Sequence, residues 1–100
     1  MPLFAVTYRY TGDTATRDAL RAEHRHYLRE LADEGSLLVS GPYADDEAAG
    51  ALLLFRGEEK THTEDLVARD PFTISGVISS VSIREWDPVI GPLLSTLSPD

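Results

Sequence analysis

One segment of the chain, Ala51 to Phe55, is apolar at every position. It predicts the core of a strand over Gly50 to Arg56. A strand that is apolar on both faces has to be covered on both faces. Helices of the same chain can cover one face, but a chain of 100 residues has little left for the other. We therefore expect a homodimer that forms through the open face of the sheet.

The remaining hydrophobic patterns predict three more strands and two helices. The first helix is bounded by N-cap candidates at Asp13, Thr14 and Thr16 and by Gly35 as the residue after its end. The second helix is expected to begin at Thr61, which has the spacing of a capping box to Glu64. The predicted elements are strand Leu3 to Tyr10, helix Asp13 to Gly35, strand Ser36 to Tyr43, strand Gly50 to Arg56, helix Thr61 to Asp70 and strand Val77 to Trp86.

The order of these elements, β-α-β-β-α-β, is the split βαβ pattern. It predicts an α+β, ferredoxin-like fold with one four-stranded antiparallel sheet. A chain of 100 residues has room for a single core. We expect residues 1–87 to form this domain and residues 88–100, which contain three prolines, to form a C-terminal arm on its surface.

The charge balance narrows the classes of partner. With 17 acidic and 9 basic side chains, the formal charge is −8, which repels phosphate backbones and anionic membranes. We expect no nucleic-acid partner and no membrane partner. The N-terminal residues lack the pattern of a signal peptide, and no apolar run is long enough to span a bilayer. A cytoplasmic location is the expectation.

The sequence carries no sign of a metal or cofactor site. It has no cysteine, which excludes thiolate ligands. His24 and His26 are two positions apart on the predicted helix and point to nearly opposite sides, and His62 lies far along the chain. No phosphate-binding loop or dinucleotide motif is present. We expect no bound metal and no cofactor.

Four short motifs resemble those of the YciI-like family, and the match covers Leu3 to Trp86. They are Arg21-Ala22-Glu23-His24-Arg25-His26-Tyr27-Leu28, Ser40-Gly41-Pro42, Gly50-Ala51-Leu52-Leu53-Leu54, and Asp70-Pro71-Phe72 followed by Gly76. Their order and spacing carry the resemblance more than any one motif does. One departure is Asp45-Asp46-Glu47, which stands where many relatives carry an Asp-Gly pair.

The resemblance implies a dimeric α/β-barrel in which two four-stranded sheets pack face to face. It also implies a pocket where His24 and Asp70 come together as the candidate catalytic pair. Some members of the family resemble enzymes that act on small cyclic or aromatic compounds. The candidate substrate-binding residues are Arg21, Ser40, Gly41, Pro42 and Phe72.

Each of these residues also has a structural interpretation. His24 lies on the apolar stripe of its helix and can be a core histidine that is hydrogen-bonded to a carbonyl. Asp70 before Pro71 is suited to cap a short helix, a role that is compatible with holding a histidine. Arg21 is either a solvated helix residue or an arm that holds an anion. For Ser40, a strand residue at a bend is the favoured interpretation.

Two functions remain open from the sequence. A histidine–aspartate pair without a good nucleophile nearby favours proton transfer over acyl transfer. The first function is thus a lyase or isomerase with His24 as general acid/base and Asp70 orienting it. The second is a non-catalytic dimeric module that binds a small ligand or serves as an accessory protein. Fold class cannot decide between them.

Overall fold

A computed structural model describes residues 1–45 and 47–97 of the chain. The first and third predicted strands have the bounds expected, and the second and fourth are shorter than predicted by one or two residues. The elements are β1 (Leu3–Tyr10), α1 (Thr14–Asp33), β2 (Leu37–Pro42), β3 (Gly50–Arg56), α2 (Lys60–Ala68), α3 (Pro71–Ile74), β4 (Ile78–Trp86) and α4 (Leu94–Leu97).

The four strands form one antiparallel sheet in the order β2-β3-β1-β4. Strand β1 is central and pairs with β3 on one side and with β4 on the other. Strands β2 and β3, which follow one another in the chain, are adjacent in the sheet. This topology confirms the α+β, ferredoxin-like prediction.

Helix α1 begins and ends where its caps predict. The Asp13 carboxylate accepts hydrogen bonds from the Thr16 backbone N–H at 3.1 Å and from the Thr16 hydroxyl at 2.7 Å. After the last turn, Gly35 has a φ of 87°, which is the left-handed conformation that favours glycine. These caps fix the length of the helix that carries His24.

The capping-box prediction for α2 is wrong. The helix begins at Lys60, its N-cap is Glu59, and Glu59 makes no side-chain cap bond. The backbone of Glu59 is extended, and the first helical turn already contains Thr61. Thr61 therefore lies inside the helix, where its hydroxyl bonds to the Glu59 carboxylate instead of capping a backbone N–H.

The core lies between the helices and one face of the sheet. Because side chains alternate along a strand, every second residue of β1 faces this core: Phe4, Val6 and Tyr8 are buried, and Tyr10 is partly buried. The core is completed by Leu53 and Phe55 of β3 and by Leu28, Leu31, Leu66 and Val67 of the helices.

The opposite face of the sheet is only partly covered in one chain. Leu54 is buried, whereas Leu52 is 48% exposed, Val39 63% and Trp86 45%. The strand that is apolar on both faces is therefore present as predicted, with half of its second face in solvent. The covering of that face by a second copy of the chain stays a prediction.

Beyond β4 the chain turns back toward the sheet. The Arg56 guanidinium donates to the carbonyl oxygens of Thr96 at 3.1 Å and Leu97 at 2.9 Å, which ties α4 to the end of β3. The division of the chain at residue 88 stays a prediction, and the end of the predicted arm, residues 98–100, lies outside the described residues. Within the described residues, no helix has the length and apolar character to cross a membrane.

Candidate functional site

His24 and Asp70 meet inside the protein. Nδ1 of His24 lies 2.7 Å from Oδ1 of Asp70, and both side chains are buried. His24 comes from the inward stripe of α1, and Asp70 precedes the first residue of α3. The contact between two residues 46 positions apart is the one that the sequence predicts.

Asp70 is held by three hydrogen bonds. Its Oδ1 accepts from the backbone N–H of Phe72 at 3.0 Å as well as from His24, and its Oδ2 accepts from the hydroxyl of Tyr8 at 2.8 Å. The helix-capping interpretation and the histidine-binding interpretation are thus both true. A carboxylate with all of these bonds has no rotational freedom, so it holds the imidazole in one orientation.

The bond to Asp70 assigns the tautomer of His24. An ionised carboxylate only accepts hydrogen bonds, so Nδ1 carries a proton and donates it. In the neutral ring, Nε2 is then the basic nitrogen. The ring also stacks on Phe72 with a centroid separation of 3.8 Å and an angle of 4° between the planes. Asp70 and Phe72 together fix the position of Nε2.

Tyr8 is the residue of this cluster that the sequence interpretation missed. Its position on β1 indicates only that it faces the core. Burial raises the pKa of its hydroxyl far above the usual value, and the negative charge of Asp70 raises it further. Tyr8 therefore stays a neutral donor to Asp70 at any pH at which the protein is folded.

The Tyr8 hydroxyl predicts a stability change at alkaline pH. An unfolded tyrosine ionises near pH 10, whereas folding raises the pKa of Tyr8. The unfolded state therefore releases this proton first, so the free energy of unfolding should fall as pH rises above about 10, by about 1.4 kcal/mol per pH unit from Tyr8. Urea denaturation of wild type and Tyr8→Phe at about pH 9 and about pH 11 measures the difference. Equal losses in both proteins would contradict this account.

A cavity of about 690 Å³ opens next to His24, between α1, β2 and the loop that follows β2. The five candidate substrate-binding residues from the sequence all lie in its wall. Their role in binding stays a prediction, because a place in the wall is not a contact with a ligand. The wall includes His24, Arg21, Ser40, Gly41, Pro42 and Phe72.

Two further features of the wall are the Tyr10 ring and the close backbone approach at Gly50. Tyr10 lies with its ring edge against Phe72, at 5.6 Å between centroids and 87° between planes. Burial raises the pKa of the Tyr10 hydroxyl, the charge of Asp70 adds to this, and three arginines oppose it. At Gly50 a Cβ atom would collide with the carbonyl oxygen of Tyr8. This close approach gives a physical reason for a glycine at the start of β3.

The described residues contain no group of three or more histidine, cysteine, aspartate or glutamate side chains that could hold a metal ion. His26 is exposed and lies 3.2 Å from Glu30 on its own helix. It therefore does not join His24. The arrangement around His24 suits proton transfer: a fixed ring, a basic nitrogen and a cavity large enough for a small molecule.

Comparisons with known proteins agree with this fold. The family model described as YCII-related domain matches residues 2–87. The structure is similar to 5-chloro-2-hydroxyhydroquinone dehydrochlorinase (TftG) from Burkholderia phenoliruptrix AC1100, solved in complex with 2,5-dihydroxybenzoquinone. That match has a TM-score of 0.73 and 25% sequence identity, and it covers 85% of this chain and 93% of the other.

A second solved structure, Rv0793 from Mycobacterium tuberculosis, is similar in fold. It has a TM-score of 0.55 and 14% identity, and it covers 92% of this chain and 99% of that one. No curated protein matches the chain. The family match spans the whole sheet and both long helices, including His24 and Asp70. The chain therefore belongs to the YCII-related domain family, which is the YciI-like family that its motifs resemble.

Proposed function

We propose that this protein is a lyase or isomerase that moves a proton on a small cyclic or aromatic compound. The observation that carries the proposal is the buried hydrogen bond of 2.7 Å between His24 and Asp70 at the wall of the cavity. A histidine that only fills a core needs no cavity beside it. A fixed histidine with a free basic nitrogen beside such a cavity is the arrangement that general acid/base catalysis requires.

In this proposal each residue of the cluster has one task. Nε2 of His24 takes a proton from the substrate and returns it to the substrate or to water. Asp70 keeps the proton on Nδ1 and stabilises the imidazolium that forms after the transfer. Tyr8 is a positioning residue, because its hydroxyl donates to the Asp70 carboxylate and holds it in place.

The size and wall of the cavity support a ring-shaped substrate. A volume of about 690 Å³ lies within the range of small-molecule sites. Phe72 and Tyr10 give one side of the cavity an aromatic surface. The similar dehydrochlorinase is named for a chlorinated hydroquinone and was solved with a quinone. Removal of HCl from such a ring consists of proton transfer and departure of chloride, which fits the proposed chemistry.

The experiment that tests the function uses a panel of hydroxylated and chlorinated hydroquinones and quinones. The panel includes 5-chloro-2-hydroxyhydroquinone, for which the similar dehydrochlorinase is named, and 2,5-dihydroxybenzoquinone, with which it was solved. Release of chloride and uptake of deuterium from D2O into the ring are followed with and without the protein. We expect acceleration of at least one reaction. Rates equal to those in buffer across the panel would overturn the proposal and favour a binding module.

We also propose a homodimer that forms through the open face of the sheet. The support is the apolar surface of that face, where Leu52, Val39 and Trp86 remain exposed in a single chain. Analytical ultracentrifugation of the wild type is expected to give twice the mass of the chain, and Leu52→Asp should shift the equilibrium toward monomer. A wild type that sediments as a monomer at micromolar concentration would overturn this proposal.

A further inference from the structure

Four arginines form a row along α1. Arg17, Arg21, Arg25 and Arg29 are spaced four residues apart, and all four lie in the wall of the cavity beside His24. The chain has only nine basic residues and a formal charge of −8. Nearly half of its positive charge is thus gathered at one cavity.

The spacing of four residues sets the distance between neighbouring arginines along the helix. Four residues advance about 6 Å along a helix, so neighbouring arginines are about one turn apart. His24 lies between Arg21 and Arg25 in the sequence, and all three residues line the same cavity. The arginines can therefore bind separate charges of one ligand.

The arginines differ in what already engages them. Arg17 donates to the carbonyl of Thr11 at 3.1 Å and lies 4.8 Å from the centre of the Tyr10 ring. Arg21 pairs with Asp18 at 2.8 Å. Among the described residues, Arg25 and Arg29 take part in no hydrogen bond and no ion pair. These two guanidinium groups are available to a ligand.

Apart from Asp18, which pairs with Arg21, no carboxylate of the described residues forms an ion pair with an arginine of the row. Only Asp45 and Glu47 join the arginines in the described wall, and both are exposed. In the described part of this loop, the Glu47 backbone N–H donates to the Asp45 carboxylate at 3.2 Å. The positive charges of Arg17, Arg21 and Arg25 all act on the hydroxyl of Tyr10 and lower its pKa against the effect of burial. Three arginines therefore act together at the His24 end of the cavity.

We propose that the ligand of this cavity is a dianionic ring compound, an aromatic dicarboxylate, held by Arg25 and Arg29. One carboxylate binds Arg25 beside the ring that faces His24, and the second binds Arg29 one turn along the helix. Guanidinium groups bind carboxylates with paired, charge-assisted hydrogen bonds. This inference names the substrate class of the proposed function and rests on it for the location of the ligand, but it concerns binding alone.

Isothermal titration calorimetry tests the inference with three probes that differ in charge: benzene-1,3-dicarboxylate, benzoate and benzamide. The wild type is expected to bind the dicarboxylate about tenfold more tightly than benzoate, and benzoate more tightly than benzamide. Arg25→Gln and Arg29→Gln should each weaken the dicarboxylate about tenfold and leave benzamide unchanged. The matched control Lys60→Gln removes the same charge outside this wall and should change affinity less than twofold.

Equal affinities for the three probes, or the same loss in Lys60→Gln as in Arg25→Gln, would overturn the inference. The two proposals fail separately, because this experiment needs no turnover. Charge-dependent binding without any catalysed proton transfer would sink the enzyme proposal and keep the ligand class. Turnover of uncharged quinones without preference for the dianion would overturn the ligand class and keep the enzyme proposal.

Discussion

Replacement of His24 by glutamine is expected to lower the rate of the catalysed reaction by about 10²- to 10⁴-fold, the usual contribution of a general acid/base. Glutamine is a good helix former, and its amide can still donate to Asp70. The fold should therefore persist, as circular dichroism would show. The amide of glutamine has no basic nitrogen, so no group at that position can accept a proton from the substrate.

The matched control for this variant is His26→Gln, which changes an exposed histidine two positions away on the same helix. It should keep the wild-type rate with every substrate of the panel. If His24→Gln also keeps the wild-type rate while remaining folded, His24 has no catalytic role. A loss of rate in both variants would point to a general effect on α1.

Replacement of Asp70 separates stability from chemistry. Asp70→Ala removes the helix cap and leaves the buried hydroxyl of Tyr8 and the N–H of Phe72 without an acceptor. The bond to the Phe72 N–H is the cap and contributes about 1 kcal/mol, and the unsatisfied buried hydroxyl of Tyr8 costs about 1–3 kcal/mol. We expect the free energy of unfolding to fall by about 2–4 kcal/mol, a loss that chemical denaturation would measure.

Asp70→Asn should keep the stability of the protein and lower its activity. Asparagine caps a helix nearly as well as aspartate, so most of the stability should remain. The amide oxygen that keeps the cap also faces Nδ1 of His24, because one carboxylate oxygen of Asp70 accepts both bonds, so the tautomer of His24 is kept and only the negative charge is removed. Without the negative charge of Asp70, the imidazolium that forms after proton transfer is no longer stabilised, and we expect a stable protein whose rate is at least about 10²-fold lower. A fully active Asp70→Asn would show that Asp70 is a structural cap alone.

Much of the fold was accessible from residue patterns because those patterns reflect local physics. The alternation in Leu3 to Tyr10 and the caps at Asp13 and Gly35 act within a few residues, and these elements are confirmed. The capping box at Thr61 failed for an equally local reason, since Glu59 already ends the extended segment and starts the helix. A spacing rule does not reveal which of two adjacent candidates begins a helix.

The site was predicted in part. The contact of His24 with Asp70 came from family resemblance, since no local rule joins residues 46 positions apart. Tyr8 was missed because its role depends on a hydrogen bond to Asp70, 62 positions away along the chain. Of the arginine row, the sequence interpretation singled out Arg21 alone, because the cavity beside the row is what brings the four arginines to one site. The dimer, the absence of cofactors and the cellular location stay predictions.

The most direct test of the central claim is NMR of the ring nitrogens in protein labelled with ¹⁵N-histidine, with 2,5-dihydroxybenzoquinone added stepwise. His26 and His62 are exposed and serve as internal references. We predict that Nδ1 of His24 carries a proton throughout, that Nε2 is unprotonated in the free neutral ring, and that the Nε2 resonance alone among the three histidines shifts on binding. A proton on Nε2, or binding that leaves the His24 resonances unchanged, would contradict the account.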